Sequence, residues 1–459
     1  MSSAAPGQSS SPSLWRSVVA MLGTRLLTLP LGLLQGVLLA RGLGPQQLGR
    51  YSAALVDVNL LVTVLSLGLP GALAVLCAEA KAEKSALRSL WRVAQQRGVL
   101  LPVGGLVIAG LGLLWPRSVD WLLRGREPLL LGLIAVTVAV QYARDVHNSL
   151  LWGGQQFSAQ NRLTTGLAVG QLVASAALVL FGVLTMQTAL LLQCASLAAV
   201  ALLSGRWVAL RLAMAEAVNV ADSRSLSSWH KRAFTVGLRN FLHILPDLLL
   251  LRIDVYLIQR LLPVELADQQ LGIYQAGVRV AELLLLVPST LNTVLFAKAA
   301  AREDIAQVAL RGARLALWLG ILACLGVGLL GQPLLMLFYG ARFAGSFAPC
   351  LLVLLGCTAL CFSGPLSGTL AGDGGYPRSV IVSQSVALVV NVIANLVLLP
   401  RYGIVGAAAA STLAYTVSAA LTTWAFAQRF RLPLRQVLRL QSPLTLVREL
   451  RAPQTASDA

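Results

Sequence analysis

Long apolar stretches separated by short polar ones set the pattern of this chain. Twelve segments approach or exceed the ~20 mostly apolar residues that cross a bilayer as a helix. They fall at 14–40, 51–78, 99–115, 129–152, 163–184, 187–207, 234–262, 271–297, 313–338, 346–371, 379–399 and 406–427. The stretches between them are shorter than an independent domain of ~50 residues. The pattern therefore predicts an all-α polytopic membrane protein with twelve transmembrane helices and no separate soluble unit.

The pattern also repeats. Gln46-Gln47-Leu48-Gly49-Arg50-Tyr51, after the first segment, is echoed by Gln269-Gln270-Leu271-Gly272-Ile273-Tyr274 after the seventh, at an offset of 223. Gly153-Gly154-Gln155-Gln156-Phe157 leaves the fourth segment, and Gly372-Asp373-Gly374-Gly375-Tyr376 leaves the tenth, at an offset of about 219. The loops 79–98 and 298–312 fall at equivalent places. Two six-helix halves follow, and because six is even they run in the same direction, as a parallel repeat about an axis along the membrane normal. The expected divisions are a polar tail 1–13, a first bundle 14–210, a linker 211–232, a second bundle 233–428 and a basic tail 429–459.

Composition sharpens this picture. Of 459 residues only 12% are charged, about half the ~25% of soluble domains. This excludes an ordinary soluble enzyme, a disordered chain and a nucleic-acid-binding domain. The net charge of +18 could suggest a nucleic-acid partner, but its placement argues otherwise. With loops assigned alternately and residues at span ends counted with the adjoining loop, 23 Lys and Arg fall on the side of the N-terminus, 8 on the other and 5 deep within spans. That bias predicts both termini in the cytoplasm. Cys77, Cys194, Cys324, Cys350, Cys357 and Cys361 sit in or beside apolar segments, where cysteine acts as a small hydrophobe. No CxxC or Cys/His cluster accompanies them, so neither a metal site nor a cofactor is expected. The first thirteen residues lack a signal-peptide pattern, so the first segment is expected to remain as a span.

The informative residues are the ionisable ones inside spans: Arg25, Arg144, Arg239, Arg252 and Arg279, with Asp57, Asp145, Asp247, Asp254 and Glu282. Each costs about 2.5–3.5 kcal/mol at a helix centre, so they need partners or a wet interior. In the seventh segment, Arg239, Asn240, His243, Asp247 and Asp254 share a stripe about 100° wide at 100° per residue. The stripe reads either as the wall of a water-filled cavity or as a ladder of salt bridges. Arg252 points elsewhere and needs its own partner. Pro246, beside Asp247, is expected to break that helix. The fourth segment carries Gln141, Arg144, Asp145, His147 and Asn148, suiting an inner gate or an interfacial end. Arg279 and Glu282, three residues apart, suit mutual neutralisation. Arg25 has no acid one turn away and needs a partner on another helix or an anionic ligand.

Three motifs carry a family likeness: Ala40-Arg41-Gly42-Leu43-Gly44-Pro45-Gln46-Gln47-Leu48-Gly49-Arg50-Tyr51, Leu67-Gly68-Leu69-Pro70, and Leu398-Leu399-Pro400-Arg401-Tyr402-Gly403-Ile404-Val405-Gly406-Ala407-Ala408. Over about residues 14–428 the chain resembles the multidrug/oligosaccharidyl-lipid/polysaccharide (MOP) flippase superfamily, most closely its polysaccharide-type (Wzx-like) branch. The resemblance implies a MATE-like fold, with two six-helix bundles around a central hydrophilic cavity. It also implies transport of a lipid-linked oligosaccharide from the cytoplasmic to the periplasmic leaflet, for exopolysaccharide or lipopolysaccharide (O-antigen) synthesis. Expected partners are that substrate, membrane lipid, H⁺ or Na⁺ as a coupling ion, and glycan polymerase and chain-length proteins.

Within that frame, Arg25, Arg279, Arg239, Asn240, Arg144, Gln141 and Asn391 are the candidate contacts to pyrophosphate and sugars. Asp57, Asp247, Asp254, His243 and Glu282 are candidates for ion coupling or charge balance. The alternatives are a MATE-like drug or cation antiporter, and a membrane glycan polymerase or glycosyltransferase. The outer loop 116–128 offers only Asp120 and Glu127, and no nucleophile–base pair stands out, so a non-enzyme is expected.

Overall fold

The computed structural model describes residues 14–79, 89–96, 128–154, 156–216, 226–291, 305–372, 378–439 and 441–442, with backbone alone at 14–27, 128, 157, 211–216, 226 and 372. The expected third span, 99–115, lies outside the described residues, as do the 1–13 tail, 217–225 of the linker and 443–459 of the basic tail. Among the described residues there is no strand. The helices are α1 (Leu14–Ser66), α2 (Leu69–Glu79), α3 (Pro128–Gly153), α4 (Phe157–Leu180), α5 (Met186–Glu216), α6 (Leu226–Leu261), α7 (Val264–Glu282), α8 (Ile305–Tyr339), α9 (Phe347–Gly372), α10 (Arg378–Arg429) and the single turn α11 (Leu434–Val437). A 3-10 turn, Leu283–Leu285, carries α7 on to residue 291.

Two of these helices each hold two spanning arms. α1 bends at Gly44 (φ 70°, ψ 173°) and α10 at Gly403 (φ 58°, ψ −143°). Both are left-handed positions that favour glycine. Pro45 then starts the second arm of α1, where its missing N–H costs nothing. These corners are the first and third family-like motifs. The second motif is also a break: Leu67 and Gly68 have φ of 46° and 70°, and they separate α1 from α2 inside one apolar segment.

Among the described residues, eight helical stretches are long and apolar enough to cross a membrane. α6 is not among them, because its stripe of polar residues lowers its hydropathy. Nor does Pro246 break it: α6 runs helically from Leu226 to Leu261, correcting the expected break. Membrane helices tolerate an interior proline where neighbouring groups re-satisfy the freed carbonyl.

The halves meet through glycines, as close helix contacts in a membrane require. A Cβ placed on Gly49 would stand 1.8 Å from the Asp268 carbonyl oxygen, and one on Gly272 would stand 1.8 Å from that of Pro45. Pro45 and Asp268 are themselves 223 residues apart. The two copies of the Gln-Gln-Leu-Gly motif thus cross each other with each glycine seated on the other's first turn. Further along, a Cβ on Gly68 would come within 2.2 Å of the Gly237 carbonyl oxygen. The main core cluster forms around this crossing and draws on both halves, including Leu48, Tyr51, Val58, Leu271, Tyr274 and Ala276.

A candidate substrate cleft between the halves

The second arm of α1 carries the polar contacts between halves. Arg50 Nε donates to Asp268 Oδ2 at 2.8 Å, Arg279 Nη2 donates to Ser52 Oγ at 3.3 Å, and Tyr256 Oη donates to Asp57 Oδ1 at 3.0 Å. Arg41, just before the corner, donates to the carbonyls of Leu337 and Phe338 at the end of α8. The corner is therefore tied to the second half on two sides.

Arg279 is the central residue. It is half-buried on α7, and Nη1 lies over Gly36 of α1, 3.9 Å from where a Cβ would stand. The expected pairing with Glu282 does not form. Glu282 instead takes both guanidinium nitrogens of Arg252, Nη1 to Oε1 at 2.6 Å and Nη2 to Oε2 at 2.9 Å. The physical reason is geometry: α6 presents Arg252 face-on to Glu282, and a two-bond fork outcompetes a single contact along one helix. This gives Arg252 the partner its sequence position demanded. Among the described residues, Arg279 has no acidic partner.

Arg279 and Glu282 open onto a cavity of about 340 Å³ that Thr28, Gly32, Gly36 and Tyr339 also line. An apolar groove of about 390 Å³ adjoins it, sharing Leu33, Leu283 and Tyr339 and passing between Pro30 and Leu34 of α1 and Leu334 and Phe338 of α8. Position 25 lies three, seven and eleven residues before Thr28, Gly32 and Gly36, on the same face of α1 by helical register. The Arg25 side chain lies outside the described residues.

The α6 stripe meets several environments rather than one. Arg239 is exposed and has no partner among the described residues; Asn240 packs on Gly71. Half-buried His243 has an Nδ1 with no partner there. Asp247 accepts a bond from Gln384 Nε2 on α10 at 2.8 Å. Asp254 is 2% exposed, accepting from Tyr274 Oη and, at 2.9 Å, from Ser411 Oγ. Its second oxygen, Oδ1, is buried without a partner among the described residues. Asn391 is fully buried and donates to the Leu250 carbonyl at 3.2 Å, so it joins α10 to α6.

On α3, Gln141 donates to Asn59 Oδ1 at 2.8 Å, and Arg144 pairs with adjacent Asp145 at 2.6 Å. His147 is held between the Ala201 carbonyl, 2.8 Å from Nδ1, and the Trp91 ring at 5.3 Å. Asp145 and Asn148 join Thr63, Ser66, Trp152 and Gln160 around a second cavity of about 400 Å³. Sequence reasoning missed Ser52, Tyr256, Tyr274, Gln384 and Ser411, because isolated hydroxyls and amides carry no periodic signal. Only Tyr274, echoed by Tyr51 in the repeat, offered one.

The sequence matches the family described as Polysaccharide biosynthesis protein over residues 14–296, and the chain belongs to that family. A search of the curated proteins found no match. Among solved structures, the lipid II flippase MurJ in an inward closed conformation aligns with TM-score 0.68 and 14% identity, covering 95% of this chain and 91% of that one. An inward-facing multidrug resistance MATE family transporter of the MOP superfamily aligns with TM-score 0.68 and 15% identity, over 92% of this chain and all (100%) of that one. An outward-facing transporter of that kind aligns with TM-score 0.62 and 16% identity, over 92% and 96%. The likeness shows the fold, an all-helical membrane fold of two repeat bundles.

Proposed function

We propose that this member of the polysaccharide biosynthesis protein family is a flippase. Its substrate is a polyprenyl-pyrophosphate-linked oligosaccharide, carried from the cytoplasmic to the periplasmic leaflet for polysaccharide or O-antigen synthesis. The observation that carries this reading is Arg279, a guanidinium in the cavity between the halves whose nearest acid on the helix is already neutralised by Arg252. An uncompensated charge inside a bilayer is costly, and it suits an anionic ligand. The guanidinium fork matches phosphate oxygens. The adjoining apolar groove gives the lipid tail a path beside the charged group, so that the tail never leaves an apolar medium. Rocking of the two halves about their glycine crossing would then expose the cavity to each side in turn.

Arg279→Ala is expected to lower flipping about 10- to 100-fold, the worth of one charge-assisted contact of roughly 1.5–3 kcal/mol. Complementation of a polysaccharide-deficient flippase strain at normal expression measures it, with Arg25→Ala beside it. Full complementation by both variants would overturn the assignment.

Asp254, with one satisfied and one unpartnered oxygen, supports coupling to H⁺ or Na⁺. Asp254→Asn should leave flipping in liposomes unresponsive to an imposed ion gradient. A preserved response would remove Asp254 from that role.

A further inference from the structure

The strap that follows α10 has no part in the cleft, yet it is firmly built. After Arg429 the chain turns at Arg431 (φ 51°), and the Leu432 N–H returns to the Ala427 carbonyl at 2.9 Å. Residues 433–439 and Gln441 then lie toward α8. There Arg314, itself 5% exposed, donates to the Gln436 carbonyl and to Gln441 Oε1, both at 2.7 Å. Trp318 Nε1 donates to the Gln441 carbonyl at 2.9 Å. Val437 is fully buried in a cluster drawn from α8, α9 and α10 that includes Leu310, Leu366 and Phe426.

These attachments set the height of the strap. On α10 the apolar segment 406–427 has just ended, and on α8 the segment 313–338 is just beginning at Arg314. A chain joining those two points runs along the bilayer boundary. Its outward side has the chemistry of that boundary. Leu434 and Leu438, four residues apart on one face, are 45% and 59% exposed. Arg435 and Arg439 follow each by one position, are exposed, and have no partner among the described residues. Within α11, Leu434 lies between the buried Val437 and Arg435 by helical register, and Leu438 and Arg439 repeat that leucine–arginine order just past its end. Leucines at acyl depth with arginines beside them at headgroup level is the pattern of an interfacial amphipathic element.

We propose that residues 429–439 are an interfacial anchor that docks on an anionic phospholipid surface, with Leu434 and Leu438 inserted and Arg435 and Arg439 on the headgroup phosphates. The rigid attachment through Arg314 and Val437 transmits that docking to α8, α9 and α10 together, fixing the depth of that end of the second half. Each arginine near an anionic surface contributes about fivefold to such binding.

The test uses the full chain carrying Leu438→Cys, labelled with an environment-sensitive fluorophore in a Cys324→Ala background. The chain is reconstituted in vesicles of equal phosphatidylglycerol and phosphatidylcholine, or of phosphatidylcholine alone. In the anionic vesicles the label should be quenched by brominated acyl chains and largely shielded from aqueous iodide. Arg435→Gln/Arg439→Gln, whose side chains have no partner among the described residues, should raise iodide quenching severalfold there. Phosphatidylcholine alone should have the same effect on the parent. A label as open to iodide as free dye in both vesicles would overturn the anchor. Equal shielding in both vesicles and in the double variant would overturn recognition of anionic headgroups.

Discussion

Gly272→Val is expected to abolish transport and to lower the thermal stability of the detergent-solubilised protein. The same holds for Gly49→Val. In each case the new Cβ would lie 1.8 Å from a backbone carbonyl oxygen of the facing helix. No rotamer change relieves such a contact, because the obstacle is main chain. The two arms must separate, and overpacking typically costs about 1–3 kcal/mol even where side chains can give way. Here the loss should reach at least the upper end of that range, since the surrounding core cluster separates with them. Gly170→Val on α4 is the control, since a Cβ there meets nothing within 4 Å. A melting temperature for Gly272→Val equal to that of the parent would refute the crossing as the place where the halves bear on each other.

Arg252→Met should cost nearly as much transport as Arg279→Ala, although Arg252 is not among the residues lining the cavity beside Arg279. The Arg252 and Glu282 side chains are 28% and 16% exposed. Removing one member of such a pair strands the other, at about 3–5 kcal/mol when the pair is fully buried. Glu282 would recover part of that loss by turning to Arg279, three residues back on the same helix. The guanidinium proposed to hold phosphate would then be neutralised from within. The double variant Arg252→Met/Glu282→Gln removes the competing carboxylate and should recover both stability and transport relative to Arg252→Met. Strongly non-additive behaviour in this cycle, read by thermal melting and complementation, is the signature. Additive losses would mean that Arg252 acts independently of Glu282 and Arg279.

These two cases also mark how far the sequence alone could be read. The apolar segments were plain because hydrocarbon imposes a length on every spanning helix, and the described helices overlap them, although α1 and α10 each run through two and the 51–78 segment is broken at Leu67 and Gly68. The corner motifs were legible only as a family likeness; the positive φ of Gly44 and Gly403, and the break at Leu67 and Gly68, came from the structure. That the duplicated Gln-Gln-Leu-Gly motifs would touch each other was not legible. Repetition announces symmetry but not where its axis passes. Pairings among the embedded charges were the least readable. Arg279 and Glu282 satisfied the spacing rule of a single helix, yet α6 supplied a better fork through Arg252, a contact thirty residues away. The α6 stripe was correctly placed on one face, but that face meets Gly71, Gln384, Tyr274 and Ser411 on different elements. Periodicity reports direction around one axis; partners are set by the packing of the others.

The glycine crossing has one more implication. A patch that meets its own copy across a two-fold axis is an isologous contact, the kind that joins identical subunits. In a homodimer every feature of such a patch occurs twice. Here the Arg50–Asp268 ion pair occurs once, for the equivalent positions 223 residues away hold Ile273 and Pro45. Fusion into one chain has let a symmetric joint acquire a charged side and an uncharged side. A joint of that kind has two unlike sides, an asymmetry that an exact two-fold between identical halves does not allow.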